Sequence, residues 1–243
     1  MHQRTKVRAA VLLLSLGATV GQAQTSTAAA PAPSVAAGTA PSWTVASGQT
    51  VGEGNSVVRG QVGWPGLWGD YVHGIDPTFD IGGRFALNWG GPIGTTYGGQ
   101  GIGIEAQLLL RKQFFDIGGY KVAFTFDPGI ILQFPSGIST QFGLAFPIGA
   151  QIGFPVNDKL VFNATFALPM YALFGTYGSF YIPIMFGGGV EYQFQPNLAV
   201  TFSMALGPTI GTGSSTNING FNISYGGGTV FTLQAMVGIA YKL

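Results

Sequence analysis

An all-β fold closed into a transmembrane antiparallel up-and-down barrel is what three features of this 243-residue sequence predict. Charged residues make up 8% of the chain, against about 25% in an ordinary soluble domain, while hydrophobic residues reach 47%. A water-facing surface needs more charge than this to stay dispersed. No uninterrupted apolar run reaches the roughly 18 residues that a membrane helix requires. From residue 56 onward, apolar side chains instead recur at every second position, a period that a strand sends to one face. Aromatic and β-branched residues are too abundant for a disordered chain. A chain that is oily overall, but nowhere oily for long, has the composition of a membrane-spanning sheet.

The elements follow in order. Arg4, Lys6 and Arg8 precede an apolar run from Ala9 to Gly17, and a small residue stands at Ala23. This describes a secretory signal peptide over residues 1–23, cut before Gln24. Of ten basic residues, those three lie in the leader, so seven remain against nine acidic ones. That balance offers no basic patch, and nucleic acid drops out as a partner. Residues 24–53 are rich in Ala, Pro, Ser and Thr, with Trp43 and Val45 as the bulky exceptions, and read as a flexible linker. The alternative is a segment that inserts into the barrel as a plug.

Residues 54–243 form the barrel. Ten strands are expected at 56–64, 67–75, 78–89, 101–113, 120–133, 139–154, 159–173, 180–194, 197–211 and 229–243. Eight remain if the first hairpin, turning at Trp64-Pro65-Gly66-Leu67, does not insert. The parity split is plain in the penultimate strand. Leu198, Val200, Phe202, Met204, Leu206 and Ile210 alternate with Ala199, Thr201, Ser203, Ala205, Gly207 and Thr209. The second face is small and weakly charged, which suits a crowded barrel interior.

Tight turns at Asp76-Pro77, Asp116-Ile117-Gly118-Gly119, Asn157-Asp158 and Gln195-Pro196-Asn197 alternate with glycine-rich loops near 90–100, 134–138, 174–179 and 212–228. Short periplasmic turns and long external loops are the asymmetry of bacterial barrels. Aromatic pairs bracket the strands: Phe79 and Trp89, Phe142 and Phe154, Phe162 and Phe174, Phe180 and Tyr192. Ten to twelve tilted residues rise roughly 25–30 Å, the height of a membrane's apolar band. Pro128, Pro147, Pro169, Pro183 and Pro208 fall inside strands, where each removes a ladder donor, so bulges or fraying are expected there.

The leader, the alternating strands and the C-terminal Val237-Gly238-Ile239-Ala240-Tyr241-Lys242-Leu243 resemble a small bacterial outer-membrane β-barrel protein. The glycine-rich Phe-Gly-Gly-Gly-Val-Glu-Tyr stretch at 186–192 is similar to uncharacterised myxobacterial barrels. The C-terminus resembles the signal read by the barrel-assembly machinery, with Leu243 standing where phenylalanine is usual. The resemblance implies a bacterial outer-membrane location, with membrane lipid and that machinery as partners, and carries no known activity across.

Candidate site residues fall into three groups. Arg84, Glu105 and Asp127 share inward parity on neighbouring strands at similar heights, and form a mid-lumen charge cluster with the guanidinium between two carboxylates. Arg59, Arg111, Glu191 and Lys242 form a second group of lumen charges near the periplasmic end. Pro147, Pro169, Tyr171, Pro183 and Met185 form an apolar lumen patch. Each group reads either as structural filling of a narrow barrel or as a functional lining. Glycines at 101 and 103 are followed by a strand pattern, not by a phosphate-binding helix. With no cysteine, and His73 the one histidine beyond the leader, neither a metal site nor any cofactor is expected. Acid–base chemistry would have to use Asp70, His73 and Asp80, and surface turns explain those acids more simply. The expected function is a barrel with a narrow or plugged lumen, structural or passing small solutes. A binder of hydrophobic molecules is the alternative, and an outer-membrane enzyme comes last.

Overall fold

In the computed structural model, the structure describes residues 40–89, 101–135, 139–174, 178–213, 215–218, 221–224 and 228–243. All lie in the unit Ala37–Leu243. The signal-peptide span and residues 24–39 of the linker lie outside the described residues, as do the whole 90–100 loop and parts of the other three long loops.

The strands run β1 (Ser56–Trp64), β2 (Gly66–Asp76), β3 (Phe79–Asn88), β4 (Ile102–Ile117), β5 (Tyr120–Phe126), β6 (Gly129–Phe134), β7 (Gln141–Pro155), β8 (Leu160–Phe174), β9 (Ser179–Pro183), β10 (Met185–Gln195) and β11 (Leu198–Gly213). They continue as β12 (Ser215–Ile218), β13 (Phe221–Ser224) and β14 (Gly228–Lys242). β5 and β6 are one barrel strand interrupted at Asp127-Pro128, since both pair with β4 on one side and β7 on the other. β9 and β10 are likewise one strand interrupted at Ile184, between β8 and β11. β12 and β13 form a separate hairpin within the 212–228 loop.

Ten staves therefore remain, every neighbouring pair antiparallel. β14 pairs with β11 on one edge and with β1 on the other, from Val57 opposite Lys242 to Trp64 opposite Ala235. The sheet is closed, and no unpaired edge is left. The first hairpin takes its place in the ring, so ten strands stand and eight do not.

Parity decides which face each residue takes. Phe202, Leu206, Phe231, Val237 and Ile239 are exposed on the outside, while Thr201, Thr209, Thr232 and Met236 are buried within. The aromatic brackets become rows across the sheet. Phe142 stands opposite Phe174, and at the other end Phe154 stands opposite Phe162, with Tyr120 packed on Phe154 at 5.5 Å between ring centroids. Among the described residues no helix is long and apolar enough to cross a membrane.

The short turns form as their residues dictate. Asp76 accepts hydrogen bonds from Thr78 N at 2.6 Å and Thr78 Oγ1 at 2.7 Å, and Asn157 accepts from the N–H groups of Lys159 and Leu160 at 2.9 Å. Gly118 and Gly119 hold φ of 61° and 91°, the left-handed pair that a two-residue hairpin needs. Register shifts at Gly74/Asp76, Gln113/Phe115 and Gln193/Gln195 all sit near this short-turn end. The second explains why the consecutive Phe114 and Phe115 are both exposed.

The five strand prolines share one level on consecutive staves. Pro147 stands opposite Pro169, Asp127 N donates to Pro147 O, and Ile184 N donates to Pro208 O next to Pro183. Interruptions occur at two staves, whereas β7, β8 and β11 run through their prolines. The ladder tolerates this because Pro128, Pro147 and Pro208 keep their carbonyls as acceptors, at 2.8–2.9 Å, and lose only the reciprocal bond.

Candidate functional site

The stretch read as a linker is not uniform. Residues 43–51 lie inside the barrel at the short-turn end, which corrects the linker reading there in favour of the plug alternative. Trp43, Val45 and Val51 pack with Val57, Ala199 and Ala240 in an apolar cluster against Val72. Trp43 and Val51 are fully buried. A short polar chain enters the lumen because these three side chains find apolar partners there and its backbone groups find charged ones.

Those charged partners come from the barrel wall. The Trp43 indole N–H donates to Pro196 O at 2.8 Å, and Gln193 Nε2 donates to Trp43 O at 2.7 Å. Glu191 Oε2 accepts from the N–H groups of Val45 and Ala46 at 3.0 and 3.1 Å. Arg111 donates to Ser47 O at 3.2 Å and Thr44 O at 2.9 Å while its Nε holds Asp80 at 2.8 Å. Asp80 in turn accepts from Val51 N at 3.2 Å. Gly48 passes so close to the wall that a Cβ on it would lie 1.9 Å from Lys121 O. The plug is held by backbone hydrogen bonds to ionised side chains, which are stronger than neutral ones.

Of the predicted lower group, Arg111 and Glu191 thus hold the plug, and Arg59 touches Val45 O at 3.4 Å. Lys242 ends β14 and contributes its backbone N–H to Asn197 O. Asp80 belongs to this set and is buried, where a surface turn was the simpler expectation. It faces Arg111 directly across β3 and β4.

The mid-lumen cluster also gains a member. Arg84 does not sit between Glu105 and Asp127 as an ion-pair partner; it binds Asp70, through Nε at 2.7 Å and Nη2 at 3.0 Å. Arg59 binds the same carboxylate at 3.0 and 2.5 Å. Arg59, Asp70 and Arg84 are in-register neighbours across β1, β2 and β3, so this triad is a row of cross-strand pairs. Asp70 is buried in the lumen, not on a turn, and the signal that finds it is the register of the first two hairpins. The Arg84 guanidinium also lies 4.5 Å from the Trp68 ring centroid. Glu105 accepts instead from Asn88 Nδ2 at 3.3 Å and Gln107 Nε2 at 2.7 Å.

Above the plug is a cavity of about 230 Å³, and both remaining predicted groups line it. Arg84, Glu105 and Asp127 contribute from β3 to β6, and Pro147, Pro169, Tyr171, Pro183 and Met185 from β7 to β10. Val45 and Ala46 of the plug are also in its lining. Tyr171 joins Ile131, Ala145 and Leu173 in a second apolar cluster, with Tyr181 against it.

The imagined acid–base set does not assemble. His73 Nδ1 pairs with Ser56 Oγ at 2.9 Å, and that hydroxyl also meets the Tyr71 hydroxyl at 3.0 Å. Strand parity puts His73 on the face opposite the inward Asp70, and Asp70 and Asp80 are both taken by arginines. The glycines at 101 and 103 lie at the start of β4, not before a helix. Among the described residues, no group of three acidic, histidine or cysteine side chains is placed to hold a metal ion.

No family model and no curated protein matches the chain. Among solved structures it is similar to two mutants of the Rh. blastica porin, each 13% identical. Each match covers 78% of this chain and 99% of that one, with TM-scores of 0.18 and 0.17. The barrel rests on its own ring of strand pairings and not on that likeness.

Proposed function

We propose that this chain is an integral outer-membrane β-barrel whose own N-terminal segment closes the short-turn, periplasmic end of its lumen. It serves envelope structure or restricted passage of small solutes. The observation that supports this most directly is the seating of residues 43–51 on Glu191, Arg111 and Asp80 inside a ring whose outer face is apolar between two aromatic rows. Membrane lipid is the partner of the outer face, and the barrel-assembly machinery the partner during insertion. Buried backbone anchored at several separate wall positions blocks solute flow until those bonds break together.

The test is heat-modifiable migration on SDS gels, combined with conductance of the refolded full-length protein in a planar bilayer. Faster migration before heating, with little or no conductance, is the expected result. A mature polypeptide that stays dissolved without detergent as a compact monomer would overturn the reading.

A second reading is favoured by one observation, the cavity above the plug with its mixed lining. In this reading the barrel binds a small ligand in its lumen, entering from the long-loop side. Ligand-dependent protection of the folded barrel against heat would support it.

A further inference from the structure

The two halves of the cavity wall differ in kind. The charged lining residues Arg59, Arg84, Glu105 and Asp127 all come from β1 to β6, while β7 to β10 contribute Pro147, Pro169, Tyr171, Pro183 and Met185 above the neutral Gln151, Asn163 and Thr165. The charges do not cancel. Arg59 and Arg84 share the single carboxylate of Asp70, leaving one positive charge over. Against it stand Glu105 and Asp127, neither of which has an ion-pair partner within 4.0 Å among the described residues. Glu105 is held by two amides, and Asp127 by the Leu110 backbone. Counting Asp70, which pairs with both arginines but does not itself line the cavity, the five groups sum to one net negative charge when all are ionised.

A second observation is independent of those carboxylates. Gln61 and Asn163 both line the cavity, are more than nine-tenths buried, and leave Gln61 Oε1 and Asn163 Nδ2 without a hydrogen-bond partner. Buried polar atoms are rarely left so. The site therefore offers an unused acceptor, Gln61 Oε1, for a donating ligand, and an unused donor, Asn163 Nδ2, that a cation does not serve, beside two carboxylates without ion-pair partners and an apolar shelf. Among the described residues, no three acidic, histidine or cysteine side chains converge here. A volume of about 230 Å³ lies below the range of drug-sized pockets and limits the occupant to a small molecule.

We propose that this cavity binds a small organic cation, an amine with a compact apolar body, its ammonium group at Glu105 and Asp127 and its body against Pro147, Pro169 and Met185. The proposal rests on the ligand-binding reading above and specifies the ligand's chemistry. A positive charge neutralises the wall and supplies the donors that the two carboxylates accept. The proline shelf is rigid, since each ring fixes its own backbone dihedral.

The experiment compares cyclohexylmethylamine with its neutral isostere cyclohexylmethanol. Binding is followed by calorimetry on full-length protein refolded in a non-ionic detergent and shown to be heat-modifiable. The amine should bind at least about tenfold more tightly than the alcohol, as expected for a desolvated charge pair. The double variant E105Q, D127N should lose that preference and keep the alcohol affinity. If the double variant does not fold, E105Q alone is read in the same way. A ratio near one in the wild type, or an unchanged ratio in the folded variant, overturns the proposal. If the alcohol binds as well as the amine, the ligand-binding reading survives the loss of the cation. If neither probe binds a heat-modifiable barrel, both fall and the plugged-barrel reading stands.

Discussion

Replacing Trp43 with alanine tests the plug where it is most heavily packed. The indole is fully buried, and its N–H reaches Pro196 O at 2.8 Å in the turn between β10 and β11. Removing a buried tryptophan side chain costs about 3–5 kcal/mol. The anchors at Glu191, Arg111 and Asp80 are untouched, so the loss falls on the docking of the plug and not on the closure of the ring. At 1.4 kcal/mol per tenfold, the population of the undocked plug should rise by a factor of roughly 10² to 4 × 10³. The chain has no cysteine, which makes a thiol a clean reporter. Val51→Cys places one at a fully buried plug position of similar volume. Its labelling by a water-soluble maleimide tracks the open population when reclosing is faster than reaction. The expected outcome is labelling accelerated by at least a hundredfold in Trp43→Ala, together with channel openings in a bilayer that the parent lacks. Labelling and conductance that both match the parent, in a variant that remains heat-modifiable, would refute the claim that Trp43 holds the lumen shut.

Four further outcomes follow from the same contacts. Asp70→Ala leaves two buried guanidinium groups facing each other and should destabilise the barrel by about 3–5 kcal/mol, read as a lower temperature for loss of the fast-migrating band. Gly48→Val should expel the plug without loosening the ring, because its Cβ would meet Lys121 O; faster labelling at Val51→Cys with unchanged heat-modifiability is the expected pattern. Phe202→Arg puts a charge on the exposed outer face of β11 and should cost about 2–4 kcal/mol of stability in lipid if that face meets acyl chains, measured by urea unfolding from vesicles. Lys121→Ala removes the exposed ion pair with Asp116 and leaves the Asp116 hydrogen bond to Gly119 N in the turn, and should leave the melting temperature unchanged at any ionic strength.

Much of the fold was legible because a membrane-spanning sheet writes itself into the chain at short range. The expected strand 56–64 coincides with β1, and 197–211 with β11 to within two residues, because alternation needs only each residue and its second neighbour. The cavity lining from Pro147 to Met185 followed from the same parity. The site was legible in part. Glu191 and Arg111 were placed at the right end of the lumen, but their ligand, the backbone of residues 44–47, was not, since a sequence shows side-chain character and not free N–H and C=O groups. Asp70 and Asp80 were misread because a single acid shows no partner along its own strand until a register puts arginines opposite it.

Local alternation and turn chemistry, then, determined the class and which side chains face inward, and left the stave count at ten or eight until the pairing of β1 with β14 and β2 settled it. What only the tertiary structure decided was who meets whom inside: Asp70 between Arg59 and Arg84, Arg111 on Asp80, and Trp43 beneath them. Alternation is a property of neighbours along one strand. Those meetings join residues up to 153 positions apart, and they depend on the closed ring having an interior of a particular width that the N-terminal segment happens to fill.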